Sequence, residues 1–363
     1  MKKVYILMLF VLFAGLLLTG CGQADVPAEE PAAAEPAEAE SADAEPAEAE
    51  EAEVEEVVEV EPFRVALVTP STINDLAFSQ SMYEALLAIQ AEMGAENFEI
   101  VYTDSMFVVD DAAAAIRDYA SQGYDLVLAH GSQYGSSLVE IAPDFPETSF
   151  AWGTTVDTFE EQGITNVFAY TALEEEGGYI NGVLAASLTE SNIIGVVGPI
   201  ETGATKLYVG GFVAGVQDTN PDIEVNVNWI GSFGDVALSA EAAQTHINAG
   251  ADVLTGTSQQ VVGAIGKAEE NGVLWFGSQA NQTSLAPSIV VANEVYKWDV
   301  ILDDMIELIK AGTYGGEVFT LNLENGGIAI EYNPDFELTE EQRALADSTV
   351  EQIIAGEITI VIE

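Results

Sequence analysis

Basic side chains are nearly missing from this chain of 363 residues: nine Lys and Arg stand against 61 Asp and Glu, for a formal net charge of −52. A surface so poor in cations is ill suited to neutralise a phosphate backbone, which argues against nucleic acid as a partner. It also argues against polyanionic ligands. Cysteine occurs once, as Cys21, so disulfides, a downstream thiol nucleophile and Cys-based metal sites are all excluded. The two histidines, His130 and His246, are too few for a His-rich metal cluster. Glycines do follow one apolar run, in "GVVGPIETG" at 195–203, but without the spacing of a dinucleotide fingerprint. No nucleophile–base set and no acid cluster with metal-ligand spacing is visible. We therefore expect no cofactor, no metal and no enzymatic activity.

At the amino terminus, Lys2 and Lys3 precede an apolar run from 4 to 18. That run has the length of a signal-peptide core and is short for a membrane span, which needs roughly 20 residues. It ends in Leu18-Thr19-Gly20-Cys21, which resembles a bacterial lipobox. The resemblance implies a signal peptide over 1–20, cleavage before Cys21 and lipidation of that residue. An Ala/Glu/Pro-rich stretch follows and, with Cys21, fills 21–62. Its 16 acids and no base cannot bury enough apolar surface to offset ordering, so it reads as a disordered spacer. Extended, it reaches at most on the order of 130 Å from a membrane. The rest of the chain keeps 45 acids against 7 bases.

From Phe63 onward, about 300 residues remain, enough for two domains. Apolar, β-branched runs read as buried strands at 64–69, 98–103, 125–129 and 149–152, and again at 193–198, 223–230, 252–255 and 273–277. Helical patterns lie between them; after Phe78, apolar residues recur at Met82, Leu86, Ile89 and Met93. Strand and helix in alternation mean βαβ units and parallel sheets. Two series of four with similar spacing predict an α/β protein of two similar lobes. In open α/β sheets, ligands bind beyond the carboxyl ends of the strands. The residues there are amides, hydroxyls, aromatics and a few carboxylates, which suit a small, flat, polar molecule.

Several stretches, "RVALVTPSTINDLAFSQSMYEAL", "EEEGGYINGVLAA", "IGSFGD" and "WFGSQANQTSLAP" among them, are similar to the basic membrane protein family of solute-binding lipoproteins, which includes purine nucleoside receptors. The likeness covers 63–334. It implies a type I periplasmic-binding fold, two Rossmann-like lobes joined by three hinge crossings. On that pattern the first lobe takes 63–171 and 289–314, and the second takes 172–288 and 315–363. The chain would cross near 170–174, return near 287–291 so that 295–310 forms a helix of the first lobe, and cross again near 312–319. Tail strands at 317–323 and 326–332 would complete the second lobe. The resemblance further implies an ABC permease as partner and uptake of a nucleoside, nucleobase or similar heterocycle. A sensory lipoprotein signalling to a membrane kinase and, more remotely, a nucleoside-processing enzyme are the alternatives.

The family's ligand-contacting turn falls on Asn74, Asp75 and Phe78. Its second aromatic falls on Phe233, with Asp235 beside it, and its basic residue on Lys297. Where nucleoside-binding members carry Gly-Val-Asp after a second-lobe strand, this chain has Gly277-Ser278-Gln279, which leaves the grip on ribose hydroxyls open. His130, Ser132, Gln133 and Gly256 follow strands and complete the candidate set. Blander roles stand beside these. Phe78 continues the apolar stripe of its helix, Asp75 is a favoured helix cap, His130 is equally suited to a local hydrogen bond, and Lys297 to a solvated surface.

Overall fold

The computed structural model describes residues 61–362; the expected signal peptide, Cys21 and nearly all of the expected spacer lie outside the described residues. Two six-stranded sheets carry the fold. The chain opens with β1 (Phe63–Val68), α1 (Phe78–Met93), β2 (Phe98–Thr103), α2 (Val109–Ser121), β3 (Leu126–Ala129), α3 (Gly135–Ile141), β4 (Ser149–Gly153) and β5 (Val167–Ala172). It continues through α4 (Glu174–Leu188), β6 (Ile193–Gly198), α5 (Gly203–Thr219), β7 (Glu224–Trp229), α6 (Val236–Asn248), β8 (Val253–Gly256), α7 (Val261–Asn271), β9 (Leu274–Gly277) and β10 (Val290–Tyr296). It closes with α8 (Asp299–Lys310), β11 (Val318–Leu321), β12 (Ile328–Tyr332) and α9 (Glu340–Ile354).

The strand orders are β11-β5-β4-β3-β1-β2 and β12-β10-β9-β8-β6-β7, the same design twice. All eight strands read from the sequence are present. Central strands such as β3 (LVLA) are buried along their whole length, as expected where helices cover both faces of a parallel sheet. The edge strands β2 and β7 are only half-buried. In α1 the stripe of Met82, Leu86 and Ile89 is buried, and α8 buries Ile301, Leu302, Met305, Ile306 and Ile309 in the same helical period. α9 starts with a capping box, in which the Thr339 hydroxyl accepts from the Gln342 N–H and the Gln342 side chain accepts from the Thr339 N–H.

The three crossings fall after β5, after β10 and after β11, and two differ from the sequence expectation. The return expected near 287–291 comes at Lys297–Trp298. The apolar run VVANEVY stays in the second sheet as β10, pairing in parallel with β9 and antiparallel with β12. The helix expected over 295–310 accordingly begins only at Asp299. The strand expected at 317–323 to complete the second lobe is β11, and it pairs in parallel with β5 of the first sheet, Val318 opposite Ala169 and Leu321 opposite Ala172. The final crossing is therefore the turn between Leu321 and Ile328.

In the second lobe α4 and α5 meet backbone to backbone. A methyl group added at Gly178 would strike the Tyr208 carbonyl, at Gly182 the Phe212 carbonyl, at Gly211 the Glu175 carbonyl, and at Gly215 the Tyr179 carbonyl. Glycine here is a demand of close approach, and both helices run glycine and apolar residues on most faces because they are buried between elements. Gly182→Ala should cost about 1–3 kcal/mol through overpacking and lower the melting midpoint in calorimetry. Gly266→Ala, on an exposed face of α7 with open space around it, should be neutral or stabilising by up to about 1 kcal/mol. Equal midpoints for the two variants would contradict the described crossing.

Candidate functional site

One cavity of about 400 Å³ sits where the carboxyl ends of both sheets meet. From the first sheet its wall takes Pro70 after β1, Phe107 after β2, Gly131, Ser132 and Gln133 after β3, and Thr154 after β4. From the second it takes Thr202 to Thr205 after β6, Phe233 after β7, Ser258 and Gln259 after β8, and Gln279 after β9. Phe78, at the start of α1, and Glu174, at the start of α4 just past the first crossing, complete it. No Lys, Arg or His is among these lining residues. The lobes also touch directly, where the Gln282 side-chain amide donates to the Leu76 carbonyl at 3.2 Å.

The sequence-predicted residues divide. Phe78, Ser132, Gln133, Phe233 and Gln279 come together in this wall. Asn74, Asp75, His130, Asp235, Gly256 and Lys297 lie outside it, each with another occupation. Asn74 is exposed. The Asp75 carboxylate turns onto the first turn of α1, accepting from the backbone N–H groups of Ala77 at 2.9 Å, Gln80 at 3.1 Å and Ser79 at 3.2 Å. Burial still pushes this carboxyl above its ordinary value, against those three donors. Asp235 caps α6 by accepting from the Leu238 N–H at 3.0 Å. Gly256 lets the backbone approach Val197, Val261 and Trp275. Lys297 donates to Glu331 at 2.6 Å on a half-exposed surface.

His130 works from behind the wall. Its ring stacks on Phe78 with centroids 3.7 Å apart and planes 9° from parallel. Nε2 donates to the Phe78 carbonyl at 3.0 Å, so Nδ1 accepts from the Tyr170 hydroxyl at 2.8 Å. Full burial depresses its pKa to about 3, the backbone carbonyl only partly opposing, so the ring is neutral at physiological pH. Trp298 meets the Phe78, His130 and Tyr170 rings edge-on. Phe78 is thus fixed by its neighbours before any ligand arrives.

Sequence reasoning missed Glu174, Pro70, Phe107, Gln259 and residues 203–205. Glu174 is 1% exposed and, among the described residues, its Oε2 has no hydrogen-bond partner. Burial raises it from 4.5 to about 8, with the Glu175 charge adding to the rise. Its signal was the first glutamate of "EEEGG", a stretch conspicuous in the sequence without a role attached. Strain marks the site too. Thr154, Ser258 and Gln279 hold left-handed φ values of 60°, 74° and 70°, costing of order 1–3 kcal/mol each. All three immediately follow, or lie two residues beyond, a strand of the wall.

These features define a class: two α/β lobes, three crossings and a cavity between strand tips, as in the periplasmic-binding solute receptors. An ABC transporter solute-binding protein from Conexibacter woesei superposes with a TM-score of 0.70 at 23% identity, over 83% of this chain and 99% of that one. Residues 63–363 match the Bmp family, described as ABC transporter substrate-binding protein PnrA-like, and the chain belongs to that family. It is similar to a purine-binding protein of Brucella abortus, 24% identical over 82% of this chain and 83% of that protein. It is also similar to the transcriptional activator protein med of Bacillus subtilis, 27% identical over 72% of this chain and 80% of that one. Substrate-binding proteins of this family are not enzymes and work outside the cytoplasm. Among the described residues no helix is long and apolar enough to cross a membrane.

The raised carboxyl has a consequence for stability. A group whose folded pKa lies above its unfolded one stabilises fully below the unfolded value, here 4.5, and loses that contribution as pH rises toward about 8. Glu174→Gln removes the titration. Its melting midpoint relative to wild type should therefore grow from nearly no difference at pH 4.5 to several degrees at pH 8, a gap approaching roughly 4 kcal/mol. Calorimetry across that range checks it, and a difference that does not vary with pH would refute the buried acid.

Proposed function

We propose that the chain is the membrane-tethered receptor of an ABC importer and holds a small, planar, polar, uncharged solute between its lobes, a nucleoside, nucleobase or related heterocycle. The observation that carries this reading is the sharing of the wall: strand tips of both sheets contribute to one cavity, so a ligand held there touches both lobes. Its 400 Å³ falls in the usual range for small-molecule sites. Phe78, Phe107 and Phe233 supply flat apolar faces for a ring, while the Gln, Ser and Thr side chains supply edge contacts. The missing basic residue in the wall disfavours phosphorylated solutes, and the purine-binding relative points to the same ligand class.

Function then needs no covalent step. Ligand contacts made only when both lobes engage favour the closed arrangement, shifting the open–closed balance by the difference in affinity between the two states. A permease that recognises the closed form takes up loaded receptor in preference to unloaded. Lipidation of Cys21 would keep the receptor at the membrane, and the acidic spacer would let it reach the permease. A role in gene regulation, suggested by the relative named as an activator, sits poorly with 45 acids against 7 bases beyond the spacer.

The test is a thermal-shift screen of protein starting after Cys21 against nucleosides, nucleobases, vitamins and sugars, followed by calorimetric titration of the hits. A ligand bound only by the folded state raises the midpoint by mass action. Phe233→Ala should weaken the best hit by about tenfold, the worth of one aromatic face. Lys297→Ala, outside the wall, should leave affinity within about twofold. The reading fails if no heterocycle shifts the midpoint, or if Lys297→Ala is the damaging change and Phe233→Ala is silent.

A further inference from the structure

The second-lobe floor of the cavity contains polar side chains that the fold itself leaves unused. Glu174 and Gln279 are 1% and 3% exposed. Both line the cavity, and among the described residues neither Glu174 Oε2 nor Gln279 Oε1 has a partner. The Tyr296 hydroxyl lies close enough to both to favour the charged form of Glu174, but its geometry falls short of a hydrogen bond to either. Buried polar atoms are ordinarily paired, and leaving one unpaired is costly. An arrangement that keeps two such oxygens at the floor of a ligand-sized cavity reserves them for a ligand.

We infer that Glu174 contacts the ligand as a neutral carboxylic acid, and that it thereby selects uncharged solutes whose edge carries a hydrogen-bond acceptor beside an N–H or O–H donor. This rests on the receptor reading above and names the residue and the ligand edge that the reading leaves open.

The surroundings set the protonation. From its own helix Glu174 is faced by Glu175; the next residue, Glu176, accepts from the Leu323 N–H at 2.8 Å. From β10 come Glu294, whose two oxygens are both unpartnered among the described residues, and Tyr296; from α5 comes Tyr208. None is a cation. Burial opposes ionisation most, the Tyr296 hydroxyl only partly offsets it and the Glu175 charge adds to it, so Glu174 keeps its proton up to about pH 8. Burial first, then the neighbouring glutamates, pushes the Glu294 carboxyl well above the ordinary carboxylate range. A neutral carboxyl offers one O–H donor and one C=O acceptor side by side. That pair complements an amide, lactam or amidine edge, in which donor and acceptor are also adjacent. It repels a carboxylate or phosphate, which meets acids and no base here.

Adenosine and cytidine serve as probes, since each is uncharged near neutrality and has an amidine edge; N6,N6-dimethyladenosine lacks the donor. Titration calorimetry of wild type should show affinity for the better probe level to about pH 7 and falling about tenfold from about pH 8 to about pH 9, as one required proton is lost. Glu174→Gln keeps a donor and an acceptor but does not ionise. It should bind within about threefold of wild type at pH 7 and hold that affinity to about pH 9. Glu174→Ala and the dimethylated probe should each lose about tenfold or more. The inference is overturned if Glu174→Gln shows the same high-pH loss as wild type, or if Glu174→Ala binds as wild type does. If Glu174→Ala does not fold, the Gln profile decides alone. Neither probe binding while another heterocycle binds would sink this inference and leave the receptor reading standing. No heterocycle binding at all would remove both.

Discussion

In a parallel sheet every strand must be left at its carboxyl end, and the turn that leaves it is free of the hydrogen bonding that fixes the strand itself. In this chain the turns after β1 to β4 and after β6 to β9 all contribute to one wall. The cavity depends on that constraint. Ordinary α/β connectivity, applied twice and joined by three crossings, brings two sets of such turns to face one another.

The wall gives up stability for this. Three of its residues stand in the left-handed region without being glycine, and a glutamate sits at its floor with an oxygen unpaired among the described residues. Behind it the molecule is conventional, with apolar strands, striped helices and glycines where α4 and α5 touch. The Phe78–His130–Tyr170 stack joins the two regimes. It uses a neutral histidine, bonded through both nitrogens, to fix one aromatic face of the wall in place.

Much of this was legible in the chain itself. The β-branched runs gave the eight strands of the two βαβ series because a strand buried on both faces needs apolar residues throughout. The spacing gave two lobes, and the strand ends gave the neighbourhood of the site. Within that neighbourhood Phe233 and Gln279 were readable because an aromatic or amide in a turn has little core to join. Asp75 and His130 were not separable from the wall, since a carboxylate or an imidazole after a strand looks the same in sequence whether it faces a cavity or its own backbone. Glu174 was hidden for the opposite reason: three consecutive glutamates at a helix start read as a solvated first turn until the crossing buries the first of them.

By itself the sequence determined local and periodic matters: which segments are strands or helices, that they alternate, and that the domain carries too few cations for polyanions. Tertiary structure alone decided which sheet each late strand joins, placing β10 in the second and β11 in the first, and which strand-end side chains reach the cavity. The physical reason is that periodicity records only whether a residue is covered. Strand pairing, and the burial that neutralises an acid or a histidine, depend on which distant segments do the covering, and the crossings set that.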